Sequence, residues 1–354
     1  MPQPPPESSE PLVPTLALAV YIACVGGTAA VTNCTLVGAL LKAARNGVYS
    51  IVIQLAIADL FLIGASLTPE LWSTNVKNWP FGYGACSAFR GFRVLASTAS
   101  SYLIVAIALH TLATINMEEK AAIKRNKKNF QDEDDEIRTS RHSLVAKSDS
   151  STPPRTMNVD YRLSDTHVPV APPTIFVWVL AVSLSIPEFV LSTVIHVDRD
   201  HFQCTSVDTN HLINMHTLLA VFELILPIVI MSVTCTLIII KLRNKKLFFE
   251  IWNRDSIAAL KLSLWIIVTY GVLCVPRSVT SVYHVYSLSN NGNEREISPI
   301  DWIPKTYETA VISLISSGAA YLATTVRPIL CFLFLPRPKI ILCARNFEKN
   351  FRNV

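Results

Sequence analysis

Charge is scarce in this chain of 354 residues: only 16% are Asp, Glu, Lys or Arg, and no lysine or arginine stands ahead of Lys42. A soluble domain carries about a quarter of its residues charged, so that class is excluded. The eight cysteines contain no CxxC pair, which leaves no zinc-ribbon or redox motif. No His/Asp cluster and no Ser-His-Asp arrangement suggests an enzyme or a metal site, and no inverted repeat suggests a transporter. The segment Met1–Glu10 lacks a basic n-region, so the first apolar run is expected to insert as an uncleaved anchor. The net charge of +5 implies no nucleic-acid partner, because the basic residues cluster in particular loops.

What is present is apolar. Hydrophobic residues make up 51% of the chain, and the mean hydropathy is +0.38. Runs long enough to cross a bilayer fall at 14–41, 49–72, 87–116, 173–195, 213–242, 257–286 and 305–335. Lipid offers no partner to backbone polar groups, so these runs must be helices. The expected fold is an all-α membrane protein, a seven-transmembrane helix bundle with a short amphipathic cytoplasmic helix after span seven. Lys42/Arg45, Lys120 to Lys128, Arg243 to Arg254, and Arg337 to Arg352 all fall on one side. The positive-inside rule makes that side cytoplasmic and the amino terminus extracellular. The domain reading is then a short extracellular segment 1–13, a membrane domain 14–335 and a cytoplasmic helix and tail 336–354. The connection 117–172 is polar, rich in Pro and Ser, and runs from basic to acidic; it is expected to be a disordered cytoplasmic loop.

One charge falls inside an apolar run. Arg327 sits within 314–335, where an ionisable side chain costs about 2.5–3.5 kcal/mol and marks a functional site by default.

The ordered landmarks now accumulate. Asn33 lies in span one and Leu55-Ala56-Ile57-Ala58-Asp59 in span two. Trp79-Pro80-Phe81-Gly82 precedes Cys86, Trp178 lies in span four, Cys204 in the second outer loop, and Pro227, Pro276 and Pro328 in the last three spans. In this order on seven spans the chain resembles the rhodopsin-like (class A) G-protein-coupled receptors, in an atypical form closest in character to peptide or orphan receptors. The resemblance implies a plasma-membrane receptor without a cofactor, and a disulfide between Cys86 and Cys204. It offers a heterotrimeric G protein or arrestin as partners, besides membrane lipid. Cys343 is a candidate for palmitoylation, or else an ordinary cysteine.

The departures from that family are concentrated in its switch. Where its members read Asp/Glu-Arg-Tyr, this chain reads His110-Thr111-Leu112. The toggle tryptophan of span six becomes Cys274, and NPxxY becomes Arg327-Pro328-Ile329-Leu330-Cys331. The family aspartate equivalent to Asp59 binds sodium with a span-three serine, here Ser100. Asp59 lies about 15 Å, and Arg327 about 12 Å, from the inner ends of their helices. The guanidinium is therefore expected in the cation site, paired with Asp59, with Asn33 and Ser100 completing the hydrogen bonds. The alternative is Arg327 snorkelling to the inner headgroups.

Toward the outer half, Arg90, Arg93, Arg277, Glu70 and Glu223 form a candidate ligand pocket. Arg93 stands where amine receptors carry an aspartate, so the resemblance argues for a small peptide or another ligand with an anionic group. Internal pairing, Glu70 with Arg93 and Glu223 with Arg277, is the alternative. No lysine lies between Lys305 and Lys339 to hold retinal. Two functions stay open: a cell-surface receptor with a non-standard switch, or a pseudoreceptor that acts as a scaffold through its long second cytoplasmic loop.

Overall fold

The computed structural model describes residues 11–41, 47–142, 168–198, 201–207, 209–243, 254–291 and 307–335. Seven helices there are long and apolar enough to cross a membrane. Helix α1 is Thr15–Leu40, α2 is Gly47–Val76, and α3 is Gly82–His142. Helix α4 is Ala171–Leu191, and α5 runs through Thr209–Leu219, Ala220–Ile225 and Leu226–Arg243. Helix α6 runs through Arg254–Thr269, Tyr270–Cys274 and Val275–Asn291, and α7 is Tyr307–Phe334. The expected spans differ from these by a few residues at most ends. A two-stranded antiparallel hairpin, β1 Ser192–Asp198 with β2 His201–Ser206, is an addition to the all-α expectation.

Proline stands in the interior of five helices, at Pro69, Pro187, Pro227, Pro276 and Pro328. It lacks the N–H that would bond the carbonyl four residues earlier, and its ring pushes that carbonyl aside. Wide π-turns precede or abut Pro69, Pro227 and Pro276, at Ile63–Leu67, Ala220–Ile225 and Tyr270–Cys274. The released carbonyls are reused between helices. Pro227 frees the Glu223 carbonyl, which accepts from Tyr270 Oη at 3.1 Å, while the adjacent Phe222 carbonyl accepts from Tyr102 Oη at 2.8 Å. Pro328 frees the Thr324 carbonyl for Asn33 Nδ2 at 3.0 Å. Sequence patterns that read as breaks thus become the ties between spans.

The loop ends are pinned by specific groups. Lys77, in the left-handed region at φ 53°, ends α2. Beyond it Trp79 N–H donates to the Phe202 carbonyl at 2.9 Å, and Phe202 N–H donates to Asn78 Oδ1 at 2.9 Å, so the first loop clasps the hairpin. Asn75 holds residues Leu12 and Val13 through three hydrogen bonds to their backbone. The Cys86–Cys204 disulfide, with Cα atoms 5.5 Å apart, fixes β2 to the start of α3.

Packing is uneven along the bundle. A large apolar cluster, from Leu36 and Leu40 through Ile104, Ile107 and Ile115 to Leu260, Ile266 and Leu335, fills the half remote from the disulfide. The disulfide half has smaller clusters and opens into cavities. Glycines permit close approach at chosen points in both halves. A Cβ on Gly91 would lie 2.4 Å from the Phe189 ring, and one on Gly47 would lie 2.6 Å from His110 Nε2.

One expectation needs correction. Residues 117–142 are helix, a continuation of α3, where disorder was expected. Between Gly91 and Pro153 the chain holds no glycine or proline, and 117–128 is rich in Glu, Lys and Ala. With strong helix formers and no breaker, nothing stops α3 at the membrane boundary. Residues 143–167, and the expected amphipathic helix 336–354 with Cys343, lie outside the described residues.

Candidate functional site

Three buried arginine–carboxylate pairs stack through the bundle. The deepest joins Arg327 on α7 to Asp59 on α2: Arg327 Nη1 donates to Asp59 Oδ1 at 2.5 Å, with side chains 4% and 1% exposed. Those exposures exclude snorkelling. Ser100 Oγ donates to the same oxygen at 2.9 Å. The pair is single-pronged, since Asp59 Oδ2 and Arg327 Nε are buried without a partner. The second guanidinium nitrogen, Arg327 Nη2, instead donates to Cys274 Sγ at 3.3 Å. Cys274 therefore does more than pack. Asn33, expected in this cluster, bonds the Ala29 and Thr324 carbonyls and stabilises α1 against the proline-opened turn of α7.

About three turns closer to the disulfide, roughly 16 Å along the helix axis, Glu70 on α2 is the hub of the second pair. It accepts from Arg277 Nη2 at 2.5 Å, Tyr321 Oη at 2.7 Å and Ser317 Oγ at 2.8 Å. Arg277 also lies over the Tyr321 ring, 5.2 Å from its centroid. Spans two, six and seven are thus joined by one carboxylate. The third pair joins Arg90 Nε to Glu188 Oε2 at 2.6 Å, with Ser192 Oγ donating to the Glu188 carbonyl at 2.6 Å. The alternative of internal pairing had named Glu70 with Arg93 and Glu223 with Arg277; internal pairing occurs, but it joins Glu70 to Arg277. Tyr321 and Ser317 were missed because nothing in an apolar run distinguishes a hydroxyl aimed at a carboxylate from one bonded to its own helix.

Two expected pocket residues enter none of the ion pairs among the described residues. Glu223 Oε1 accepts from Ser97 Oγ at 2.9 Å and Thr98 Oγ1 at 2.6 Å. Arg93 places its guanidinium carbon 5.7 Å from the Phe89 ring centroid, and its Nε is buried without a partner. Both face a deep chamber of about 110 Å³, whose walls also include Ser101, Tyr270, Cys274 and Arg327. Above it a wider vestibule of about 620 Å³ reaches the hairpin at Phe202 and Thr205. Arg93, Arg277 and His216 border both spaces, so the passage between them is lined by cationic and imidazole groups.

The opposite end is closed by polar ties rather than by a charged arginine. Thr111 Oγ1 donates to the Ile107 carbonyl at 2.7 Å and accepts from Ser263 Oγ of α6 at 3.2 Å. Buried His110 packs on Gly47, and Leu112 joins the apolar core. One to two turns further along α3, Glu118 accepts from Ser256 Oγ at 2.8 Å and Glu119 pairs with Lys241. Neither glutamate was singled out by sequence, because in a loop assigned as disordered a charge has no neighbours to predict.

Seven apolar helices, a loop tethered by a disulfide to the third, and paired charges within the bundle define a polytopic membrane protein of receptor architecture. A family model described as 7 transmembrane receptor (rhodopsin family) matches residues 157–316. A protein of Caenorhabditis elegans named dopamine receptor 4 is 36% identical over 100 residues, covering 27% of this chain and 19% of that protein. The chain thus spans about a fifth of that relative's length. With the seven spans, these matches make the chain similar to the rhodopsin family of seven-transmembrane receptors over somewhat less than half of its length.

Proposed function

We propose that the chain is an atypical G-protein-coupled receptor of the cell surface, with its amino terminus outside and its basic loops and tail in the cytoplasm. Its ligand is a small peptide or another molecule with an anionic group, received from the vestibule. The observation that carries this reading is Arg93. Of the three arginines bordering the vestibule, Arg90 and Arg277 are each bound to a carboxylate, while Arg93, which also borders the chamber, stands outside any such pair among the described residues. A guanidinium in that setting gains most from a carboxylate or sulfate brought by a ligand.

The switch is built on different contacts from those of the family at large. The tethered Arg327 cation replaces an exchangeable sodium ion opposite Asp59. The hydroxyl contact between Thr111 and Ser263, with Glu119–Lys241 and Glu118–Ser256, holds the cytoplasmic ends of α3, α5 and α6 together. These same contacts favour a second reading, a pseudoreceptor that does not activate G proteins and works through the connection 117–172 as a scaffold.

Two measurements test these readings. Membranes carrying the chain and its Arg93→Gln variant are screened with small peptides as free acids and as carboxamides. Acid-selective binding that the variant loses is expected, and equal binding of both forms overturns the anionic-ligand reading. Nucleotide exchange on heterotrimeric G proteins, basal or ligand-driven, beside arrestin recruitment, separates the receptor from the pseudoreceptor; exchange above the empty-membrane level sinks the latter.

A further inference from the structure

Among the described residues, pairing off the arginines and glutamates inside the outer half of the bundle leaves one of each sign. Arg90 goes with Glu188 and Arg277 with Glu70, and what remains is the cation Arg93 and the anion Glu223. Both line the deep chamber. Among the described residues the two form no ion pair with each other. Arg93 lies over Phe89, one turn nearer the disulfide, while the Glu223 carboxylate is held by Ser97 and Thr98, one turn further in. From the level of Phe89 to that of Ser97 is roughly 12 Å, and from Arg93 to Ser97 roughly 6 Å, along the helix axis. Arg93 borders both the chamber and the vestibule, whereas Glu223 borders the chamber alone.

A charge buried in a membrane protein without an ionic partner is costly, and a ligand supplying the opposite charge removes that cost. A simple anion satisfies Arg93 but adds a second negative charge beside Glu223. A simple amine satisfies Glu223 and adds a positive charge beneath Arg93 and Arg277. A molecule carrying both charges satisfies both residues and brings no net charge among the three arginines and three glutamates, Arg90, Arg93, Arg277, Glu70, Glu188 and Glu223, which already balance. The chamber of about 110 Å³ holds several waters, or a polar head group of the size of an amino acid.

We propose that the ligand of this receptor is zwitterionic, with its anionic group on Arg93 at the chamber mouth and an ammonium on Glu223 below. The proposal rests on the anionic-ligand reading and adds to it the second charge and the residue that receives it. Glu223 is then the specificity determinant that distinguishes amino acids and their close analogues from plain carboxylates.

The test uses the full chain in lipid nanodiscs and reads the concentration-dependent rise in Tm. The probes are a panel of free amino acids, the matched carboxylic acids lacking the amine, and the matched amines lacking the carboxylate, with dopamine among the last. The expected result is stabilisation by members of the amino-acid set at concentrations at least about tenfold lower than by their singly charged analogues. Glu223→Gln, whose amide oxygen still accepts from Ser97 and Thr98, should erase the preference for the amine while leaving carboxylate binding. Arg93→Gln should weaken zwitterions and carboxylates together. Equal potency of acids and zwitterions overturns the zwitterion while the anionic reading stands. Stabilisation by amines alone overturns both. Silence of every zwitterion overturns the proposal, and silence of the acids as well takes the anionic reading with it.

Discussion

Arg327 Nη1 lies 2.5 Å from Asp59 Oδ1 across the α2–α7 boundary, with Ser100 on the same oxygen. Removing one member strands the other charge in the membrane, at a cost of about 3–5 kcal/mol. Asp59→Asn and Arg327→Asn should each lower Tm and surface expression, and the double variant should recover part of the loss. Arg327→Asn alone leaves a buried carboxylate beside a serine hydroxyl, with the guanidinium's space open. Its Tm should rise with NaCl and not with equal potassium or choline chloride, while the unaltered chain shows no such difference. A variant indifferent to the choice of cation would show that the arginine does not occupy a cation site.

Glu70 is bound by three donors from two helices, Arg277, Tyr321 and Ser317. Tyr321→Phe removes one hydrogen bond to a charged acceptor and should cost about 1.5–3 kcal/mol. Glu70→Gln leaves Arg277 buried without its counter-charge and should cost more, about 3–5 kcal/mol. Thermal unfolding in one lipid composition ranks the two. The reverse order would mean that the tyrosine, rather than the ion pair, holds spans two, six and seven together.

How much of this was legible beforehand follows from what each residue leaves in a sequence. The spans were readable because lipid demands long apolar runs, and the depth of Asp59 and Arg327 followed from counting turns. The partners of Glu70, Arg93 and Glu223 were not readable. Three arginines and three glutamates on five helices allow several pairings of similar depth, and helix rotation chooses among them. The same holds for Asn33: only the structure shows that Pro328 presents it with an orphaned carbonyl. The continuation of α3 through His142 was available in the absence of Gly and Pro after Gly91, but the polar composition of the segment outweighed it.

Gly91 and Gly47 sit where neighbouring side chains touch the backbone. Gly91→Ala places a methyl group 2.4 Å from the Phe189 ring and should destabilise by about 1–3 kcal/mol through overpacking. Gly47→Ala meets His110 Nε2 at 2.6 Å. Val170 Cγ2 stands at 2.7 Å on the same spot. Because the obstacles are side chains, His110→Ala together with Val170→Ala should relieve most of the loss, giving a coupling of the opposite sign to the single effects. Additive losses would mean that α2 is held off by something other than these two side chains.

Glu119 and Lys241 tie α3 to α5 near the boundary of the membrane domain, with side chains 14% and 26% exposed. A partly exposed pair contributes modestly, about 0.2–1 kcal/mol, so breaking it should hardly move Tm. Its effect should appear locally instead. Glu119→Gln should accelerate hydrogen exchange at the ends of α3 and α5 remote from the disulfide, and Glu119→Lys with Lys241→Glu should restore protection. If exchange is unchanged in the single variant, the hydroxyl contact between Thr111 and Ser263 suffices to close that end.

Asn33 and Pro328 pose a test in which one substitution decides the cost of another. Asn33 Nδ2 donates to the Thr324 carbonyl, which lacks an amide partner because residue 328 is proline. Asn33→Ala leaves that carbonyl buried and unsatisfied, a loss of about 1–3 kcal/mol. Pro328→Ala gives the helix back an N–H at the right place, so the carbonyl no longer depends on α1. In that background Asn33→Ala should cost well under half as much, a coupling visible in a double-mutant cycle of Tm. Straightening α7 also shifts Arg327 relative to Asp59, so Pro328→Ala alone is expected to be destabilising even though it adds a hydrogen bond. If Asn33→Ala costs the same in both backgrounds, the asparagine acts through its bond to Ala29 within α1, and the proline-opened turn is not what it serves.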